Sequence, residues 1–228
     1  ARAGAQPGAM PDPIPPVISC PANTTVVTDP GECDAAVTYS LPVSGDNCPG
    51  WTVTMLQGFA SGAEFPLGTI TVEYQVEDNN GNTTTCLFTV TVQDKEKPAI
   101  TCPADITVLT SSNGTGDCAG MVPNLIPGAV ATDNCTSPLT NFVQTPAGGT
   151  FLSGVHGQQF DVLIAVTDAS GNSSSCELEI TLVDDEAPVL PAPPVVAPVS
   201  CAQNVPVIPN LTPSDNCGIL DFDYTEVT

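Results

Sequence analysis

The sequence repeats itself with a long period, and this repetition limits the architectures that it can adopt. Repeat one occupies residues 20–94 and repeat two occupies residues 102–184. Each begins with Cys-Pro, has Asp-Asn-Cys in its middle, and has Asp-x-x-Gly-Asn before its last cysteine. Repeat three starts near Pro188 and again contains Asp-Asn-Cys. A fixed period of this kind indicates a string of similar units instead of one large domain.

Apolar residues alternate with a period of two over long stretches, as in residues 70–76 of repeat one and 162–166 of repeat two. Such alternation is typical of half-buried β-strands, and no window has helical spacing with capping residues. Several short strands in a unit of this size predict an antiparallel β-sandwich. The predicted fold class is therefore all-β, with tandem immunoglobulin-like β-sandwich domains that are disulfide-bonded and a third domain that is incomplete.

The domain boundaries follow the repeats. The first residues are rich in Ala, Gly and Pro, which indicates an extended arm. Each joint between repeats is short, acidic and followed by proline. The predicted organisation is an N-terminal arm at 1–16, domains at 17–94 and 95–185, and a partial domain at 186–228.

Composition excludes several classes of function. The formal charge is −22 and only three residues are basic, which excludes a nucleic-acid-binding face. No apolar run approaches the roughly 18 residues that a membrane helix needs, so no membrane insertion is expected. The ten cysteines include no Cys-x-x-Cys pair, and His156 is the single histidine. Disulfides are therefore favoured over zinc, and they predict a secreted or cell-surface protein.

The four cysteines of one repeat allow three connectivities. Repeat three keeps the second and third cysteines but has Pro191 where the first is expected. The simplest interpretation pairs the second cysteine with the third, and the first with the fourth. The predicted disulfides are Cys20–Cys86, Cys33–Cys48, Cys102–Cys176, Cys118–Cys135 and Cys201–Cys217.

Acidic residues at the joints and in two loops are expected to gather at one pole of each sandwich. Hard cations bind six to eight oxygen ligands, so such a cluster predicts calcium, and no organic cofactor is expected. Two alternatives remain: the aspartates cap their own turns, or Lys95 and Lys97 neutralise the first joint. The candidate calcium ligands are Asp94, Glu96, Asp133, Asn134 and Asp168 at one joint, and Asp184, Asp185, Glu186 and Asp215 at the next.

Six Asn-x-Ser/Thr sequons are candidate glycosylation sites on exposed loops if the source glycosylates asparagine. They are Asn23, Asn82, Asn113, Asn172 and Asn210, with Asn134 the poorest because Cys135 follows it. Catalytic motifs are lacking: His156 lies in a Gly-rich segment, and neither Gly-x-Ser-x-Gly nor a phosphate-binding loop occurs. The sequence therefore predicts that the protein is not an enzyme.

The motifs resemble those of the hyalin repeat, or HYR, domain. In repeat one the likeness rests on Ile18-Ser19-Cys20-Pro21, Phe65-Pro66-Leu67-Gly68 and Asp78-x-x-Gly81-Asn82. Repeat two departs at Phe151-Leu152-Ser153-Gly154, which lacks the proline. The resemblance implies immunoglobulin-type sandwiches in tandem, in extracellular proteins of adhesive or structural role. The repeats of this chain also resemble those of long bacterial surface adhesins.

Two functions follow as hypotheses. The first is a non-catalytic extracellular segment of a surface adhesin or filament, whose partners are copies of itself or other repeats of the same protein. A neighbouring chain would complete the partial third domain by strand addition, unless the chain is simply truncated. The alternative is a module that binds a cell-surface glycan or protein through its loops, such as residues 57–68 with Phe59 and Phe65, or 144–159.

Overall fold

The computed structural model describes residues 12–113, 116–192 and 213–218. Strands dominate these residues, and the regular helices among them are two single turns of 3-10 type in repeat two. The elements are β1 (Val17–Ser19), β2 (Thr24–Val27), β3 (Asp34–Val37), β4 (Val43–Gly45), β5 (Thr52–Gln57), β6 (Ala63–Pro66), β7 (Gly68–Glu77), β8 (Thr83–Gln93), β9 (Ala99–Thr101), β10 (Ile106–Leu109), the turn Thr110–Asn113, β11 (Ala119–Met121), the turn Ile126–Gly128, β12 (Val130–Thr132), β13 (Asn141–Thr145), β14 (Phe151–Ser153), β15 (Gln159–Thr167) and β16 (Ser173–Val183).

The chain divides into two compact units. The first comprises the described residues up to Pro98 together with Thr132–Pro138 and Asp168–Asn172. The second comprises Ala99–Ala131, Leu139–Thr167 and the described residues from Ser173 onward. Two loops of repeat two thus belong to the first unit. The domain boundaries inferred above follow the repeats and stay a prediction.

The first unit is a sandwich of two sheet layers. One layer has four strands in the order β2-β8-β7-β5, and the other contains the pairs β3-β6 and β1-β4. The alternating apolar positions of β7 and β8 place Val72 and Phe88 in the core, where they meet Val37 and Phe65 of β3 and β6. Phe65 is 0% exposed. Burial of both inner faces accounts for the period of two in the sequence.

The second unit repeats this arrangement. Its four-stranded layer has the order β10-β16-β15-β13, and the pairs β11-β14 and β9-β12 lie in the other layer. Val162, Ile164 and Ile180 are fully buried and pack with Val122 in one core cluster. The predicted all-β, immunoglobulin-like sandwich is therefore confirmed.

One feature of the pairing differs from the antiparallel prediction. β2 lies parallel to β8, with Thr24 opposite Val90, and β10 lies parallel to β16, with Ile106 opposite Ile180. In each case the chain passes from one sheet layer to the other just before this strand, because β1 pairs with β4 and β9 pairs with β12. After that change of layer, the strand runs in the same direction as its neighbour.

None of the helical turns in the described residues is long and apolar enough to span a bilayer.

Candidate calcium sites and the disulfides that join repeats

The first and fourth cysteines of each repeat are bonded, as Cys20–Cys86 and Cys102–Cys176. This is the pairing that the sequence predicted, and the strand register explains it. The β2–β8 ladder offsets partner residues by 66 positions, which is also the separation of Cys20 and Cys86. The β10–β16 ladder does the same for the second pair, with a separation of 74. Each disulfide therefore joins two positions that are in register with the parallel ladder and lie before its first residue pair.

The second and third cysteines pair differently from the prediction. Cys33 is bonded to Cys135, and Cys118 is bonded to Cys217. The second cysteine of one repeat therefore bonds to the third cysteine of the next repeat. The predicted pairs Cys33–Cys48 and Cys118–Cys135 are wrong in this structure, and Cys217 is not available to Cys201, which lies outside the described residues.

Strand length gives the reason for this correction. The Asp-Asn-Cys loop of repeat one lies near the start of β8, because Asn47 and Asn82 both hydrogen-bond to Asp12. The turn with Cys33 lies near the end of β8, because the Gly31 N–H donates to Glu96 Oε2 at 2.9 Å. β8 has 11 residues, and a strand of that length spans about 30 Å. A disulfide needs Cα atoms within about 7 Å, so Cys33 and Cys48 cannot meet.

Four disulfides among the described residues indicate an oxidising compartment. The protein is therefore secreted or displayed on a cell surface. Cys48 is the described cysteine without a disulfide, and it is exposed. Its pKa is raised because its thiol hydrogen-bonds to the Asp12 carboxylate, with burial and nearby carboxylates adding to the effect.

Three aspartates of the first unit converge on one point. Asp94 directly follows β8, Asp133 directly follows β12, and Asp168 directly follows β15. One carboxylate oxygen from each lies within 4.8 Å of the other two. Asp94 is 3% exposed and Asp168 is 6% exposed. Three carboxylates this close repel one another strongly unless a cation or protons neutralise them.

The hydrogen bonds around this cluster leave oxygens without donors. Asp94 Oδ1 accepts from the Glu96 N–H at 3.0 Å, and Asp133 Oδ2 accepts from the Cys135 and Thr136 N–H groups. Asp168 accepts from Asn172 through both of its oxygens. Three of the buried oxygens that have no hydrogen-bond partner within the described residues belong to this part of the chain: Asp94 Oδ2, Asp133 Oδ1 and Asn134 Oδ1. Buried polar atoms are normally paired, so these oxygens indicate a site for a partner that accepts electron pairs, such as a cation.

A second cluster, which the sequence interpretation missed, lies at repeat one. Asp12, Asp46 and Asp78 also bring one oxygen each within 4.8 Å, and Asp46 Oδ1 is buried without a partner among the described residues. The signal was in the repeat register, because Asp12 lies eight residues before Cys20 as Asp94 lies eight before Cys102. Assigning residues 1–16 to an arm concealed it.

Two carboxyl groups of this second cluster have lowered pKa values. For Asp12, the main cause is the hydrogen bond from the Ile14 N–H. For Asp78, burial opposes ionisation, but hydrogen bonds from Asn82, Asn80 and Gly81 lower the pKa overall. Both groups are therefore held as carboxylates, which is the form that binds a cation.

A third group contains Asp184, Asp215 and Cys217. Cys217 is in a disulfide, so its sulfur is not a thiolate ligand. This group offers two carboxylates, and Asn216 Oδ1 is buried nearby in sequence with no partner within the described residues.

The remaining predicted ligands have other contacts. Glu96 Oε2 binds the Gly31 N–H, and the Asp185 carboxylate binds Ser111 and Thr110. These hydrogen bonds also lower the pKa of Asp185. Glu186 contributes its N–H to Asp184 Oδ1. Lys95 and Lys97 are exposed, and neutralisation of the first joint by these lysines stays a prediction.

Two of the candidate glycosylation sites take part in the clusters. Asn82 Nδ2 donates to Asp78 Oδ2 and to the Asp12 carbonyl, and Asn172 Nδ2 donates to Asp168 Oδ2 and to the Asp94 carbonyl. A glycan replaces one of the two amide hydrogens, so neither amide could keep both of its hydrogen bonds once glycosylated. Asn23 is exposed. The side chain of Asn113 and all of Asn210 lie outside the described part.

The two aromatic residues of the 57–68 segment differ in exposure, because Phe59 is 40% exposed and Phe65 is 0% exposed. Phe65 belongs to the core of the first unit, and Phe59 packs edge-on against it at a centroid distance of 5.3 Å. The hypothesis that Phe65 contacts a ligand is therefore wrong.

Comparisons with known proteins agree with the repeat motifs. The chain is 27% identical over 218 residues to the rat (Rattus norvegicus) protein "Sushi, von Willebrand factor type A, EGF and pentraxin domain-containing protein 1", covering 92% of the chain and 6% of that protein. It is 30% identical over 200 residues to Hyalin of Strongylocentrotus purpuratus, covering 85% of the chain and 15% of Hyalin. The chain thus spans a small part of the relatives that it matches.

Among solved structures, the crystal structure of human CDH23 EC21-23 aligns with a TM-score of 0.40 at 15% identity, covering 89% of this chain and 80% of that one. The family model of the HYR domain matches residues 11–92. Residues 11–92 therefore contain an HYR domain.

Proposed function

We propose that this extracellular repeat protein is a non-catalytic segment of a surface adhesin or filament, and that calcium binds its aspartate clusters. The observation that carries the proposal is the recurrence of one cluster in register. The Asp-Asn-Cys aspartate of each repeat joins the aspartate that precedes that repeat, as Asp46 joins Asp12 and Asp133 joins Asp94. An aspartate cluster that recurs at the same place in successive repeats is expected to have a structural role in the repeat array.

Calcium fits the donor atoms better than other metals. The cluster at Asp94 offers carboxylate and amide oxygens and no nitrogen or thiolate, and oxygen ligands suit calcium or magnesium. Asp94, Asp133 and Asp168 would hold the ion, with Asn134 Oδ1 as a further ligand. When bound, the ion would neutralise the repulsion among the three carboxylates. Magnesium is disfavoured because it retains several waters and is seldom enclosed by protein ligands alone.

The cluster at Asp94 connects three segments that are distant in sequence. Asp94 follows the last strand of repeat one, while Asp133 and Asp168 begin two loops of repeat two, and all three belong to the first compact unit. Calcium at this point would hold the two loops of repeat two against the end of repeat one. Stiffening of such a joint suits a protein that extends from a surface.

A calorimetric titration tests the calcium proposal. The 228-residue protein, stripped with a chelator, is titrated with calcium, and Asp94→Asn is compared with Asp161→Asn. Asp161 is an exposed aspartate on β15, so its substitution changes the net charge equally. We expect Asp94→Asn to abolish one class of site and Asp161→Asn to abolish none. Equal binding by both variants, or no binding by the unaltered protein, would contradict the proposal.

We further propose that the partners are other repeats of the same kind, within one protein or between copies. Completion of the partial third domain by strand addition remains part of this proposal, since most of repeat three lies outside the described residues. Negative-stain electron microscopy of the purified chain tests it. Polymers that form without reductant-sensitive links would support strand addition, and monomers at all concentrations would contradict it.

A further inference from the structure

Cys48 occupies the position at which later repeats are covalently linked. Cys48, Cys135 and Cys217 are each the last residue of Asp-Asn-Cys. Cys135 is bonded to Cys33 and Cys217 to Cys118, so each takes the second cysteine of the repeat before it. Cys135 and Cys217 are half-buried, whereas Cys48 is exposed and unbonded in the described structure.

The asparagine of the same motif follows this pattern. Asn134 Nδ2 donates to the Glu32 carbonyl at 2.7 Å, and Asn216 Nδ2 donates to the Asp117 carbonyl at 3.4 Å. Glu32 and Asp117 each directly precede the cysteine that is bonded. The equivalent Asn47 Nδ2 instead donates to Asp12 Oδ2 at 2.8 Å and to its neighbour Cys48 Sγ at 3.4 Å. Asn47 and Cys48 thus both lack the partner that their counterparts have in the described structure.

The segments that contain the bonded cysteines Cys33 and Cys118 share one local structure. Cys33 and Cys118 each end a Gly-acid-Cys turn and directly precede a strand, β3 or β11. Gly31 and Gly116 have φ values of 79° and 66°, a region that other residues rarely adopt. The first turn holds itself together, because the Asp29 N–H donates to the Asp34 carbonyl at 2.8 Å and the Ala36 N–H donates to Asp29 Oδ2 at 3.0 Å.

We infer that Asn47 and Cys48 form an acceptor site for the Gly-acid-Cys turn of another HYR repeat. The incoming cysteine bonds to Cys48 Sγ, and the carbonyl before it accepts a hydrogen bond from Asn47 Nδ2. The inference rests on the proposed role in a repeat array, since it names the element by which a further repeat is joined. It does not require that calcium is bound.

The covalent step is an exchange with a disulfide oxidant, either glutathione disulfide or a protein disulfide. The Cys48 thiolate attacks the oxidant, forms a mixed disulfide and releases one thiol. The thiolate of the incoming turn then attacks the Cys48 sulfur and displaces the second oxidant thiolate, which takes up a proton. Overall two thiols are oxidised to one disulfide, and the oxidant is reduced to two thiols.

A peptide with the sequence of residues 28–36 serves as the probe, because it contains one cysteine and the hydrogen-bonding groups of the turn. The unreduced 228-residue protein is equilibrated with this peptide in a glutathione redox buffer, and the adducts at Cys48 are measured by mass spectrometry. We expect the peptide adduct to exceed the glutathione adduct at least tenfold at equal thiol concentrations. A peptide with Gly31→Val should lose most of this preference.

Two variants of the protein complete the test. Asn47→Ala should reduce the preference for the peptide severalfold without changing the glutathione adduct, whereas Asn80→Ala, at an exposed asparagine, should not change it. Equal adducts with the native and Gly31→Val peptides, or an unchanged preference in Asn47→Ala, would overturn the inference. All of these adducts are measured in chelator, so neither result requires bound calcium and the calorimetric test above can fail or succeed independently.

Disulfide mapping of protein isolated from its source shows whether the turn bonded to Cys48 comes from the same polypeptide or from another copy. A link between Cys48 and the cysteine of a Gly-acid-Cys turn from another repeat, in the same polypeptide or in another copy, supports the acceptor site in either case. A free thiol or a glutathione adduct at Cys48 in mature protein would overturn it.

Discussion

Replacing selected cysteines should show whether Cys33 is bonded to the next repeat or to a cysteine of its own repeat. The decisive variant is Cys48→Ala, compared with the double variant Cys33→Ala/Cys135→Ala. If Cys33 bonds to Cys135, Cys48→Ala removes an exposed and unbonded side chain. If Cys33 instead bonded to Cys48, the same substitution would remove a structural disulfide.

The sizes of the two effects differ enough to be measured. A disulfide stabilises mainly by restricting the unfolded chain, and Cys33 and Cys135 are 102 residues apart. A loop of that length corresponds to about 4.7 kcal/mol, whereas a loop of about 15 residues, as between Cys33 and Cys48, corresponds to about 3 kcal/mol. We therefore expect the double variant to lose up to about 4.7 kcal/mol. Cys48→Ala should change the free energy of unfolding by less than about 0.5 kcal/mol, as surface substitutions do.

Urea unfolding followed by tryptophan fluorescence is the suitable assay. Trp51 is the only tryptophan of the chain, its Nε1 donates to Ser44 Oγ at 3.0 Å, and it belongs to the first unit with the cysteines in question. Its signal therefore reports on the unit that the disulfide closes. With a typical urea dependence of about 2 kcal/mol per M, the double variant should unfold at about 2 M less urea.

A comparable loss of stability in Cys48→Ala and in the double variant would refute the reasoning. If Cys48→Ala lowered stability by about 3 kcal/mol, and to the same extent as the double variant, the two repeats would not be linked through Cys33 and Cys135. Mapping of the disulfide-bonded peptides in the unaltered protein provides an independent check.

Three further results are expected. Calcium at 100 times its dissociation constant should stabilise the first unit by about 2.7 kcal/mol in thermal unfolding, and Asp94→Asn should remove this gain. In chelator, the urea midpoint should fall below pH 4: hydrogen bonds lower the folded pKa of Asp12 and Asp78 from 3.8, so their stabilisation exists above that pH and is lost as pH falls through the folded values. Phe65→Ala should cost about 3–5 kcal/mol by urea unfolding, whereas Leu67→Ala, at a side chain that is 39% exposed, should cost far less.

The sequence alone was sufficient to predict the features that depend on local residue patterns. Alternation at residues 70–76 and 162–166 predicted the strands β7 and β15, because a strand that buries one face must alternate. The pair Cys20–Cys86 was predictable because one sheet places a strand from the start of the repeat, β2, beside its last strand, β8. Direction was not predictable, since the parallel ladder of β2 and β8 depends on a change of layer that leaves no mark in the sequence.

Two of the failures concern features that extend beyond one repeat. Pairing Cys33 with Cys48 assumed that a repeat satisfies its own cysteines, yet β8 separates the two positions by about 30 Å. Asp12 was overlooked because it lies in a proline-rich stretch, although its register with Asp94 was visible. Phe65 looked like a loop aromatic because strand β6, with Ala63–Pro66, is short and follows a glycine turn.

The Asp-Asn-Cys loop combines three kinds of contact in consecutive residues. In repeat two, Asp133 supplies an oxygen to the carboxylate cluster, Asn134 donates to the Glu32 carbonyl, and Cys135 forms the disulfide to Cys33. Because neighbouring residues share one backbone, fixing any one of them reduces the conformational freedom that the others lose on binding. The disulfide should therefore favour calcium at the cluster, and by reciprocity calcium should favour the disulfide. In repeat one the same coupling would make Asp46 and Asp12 part of the acceptor site, since any ion that orders Asp46 also positions Cys48 for an incoming turn.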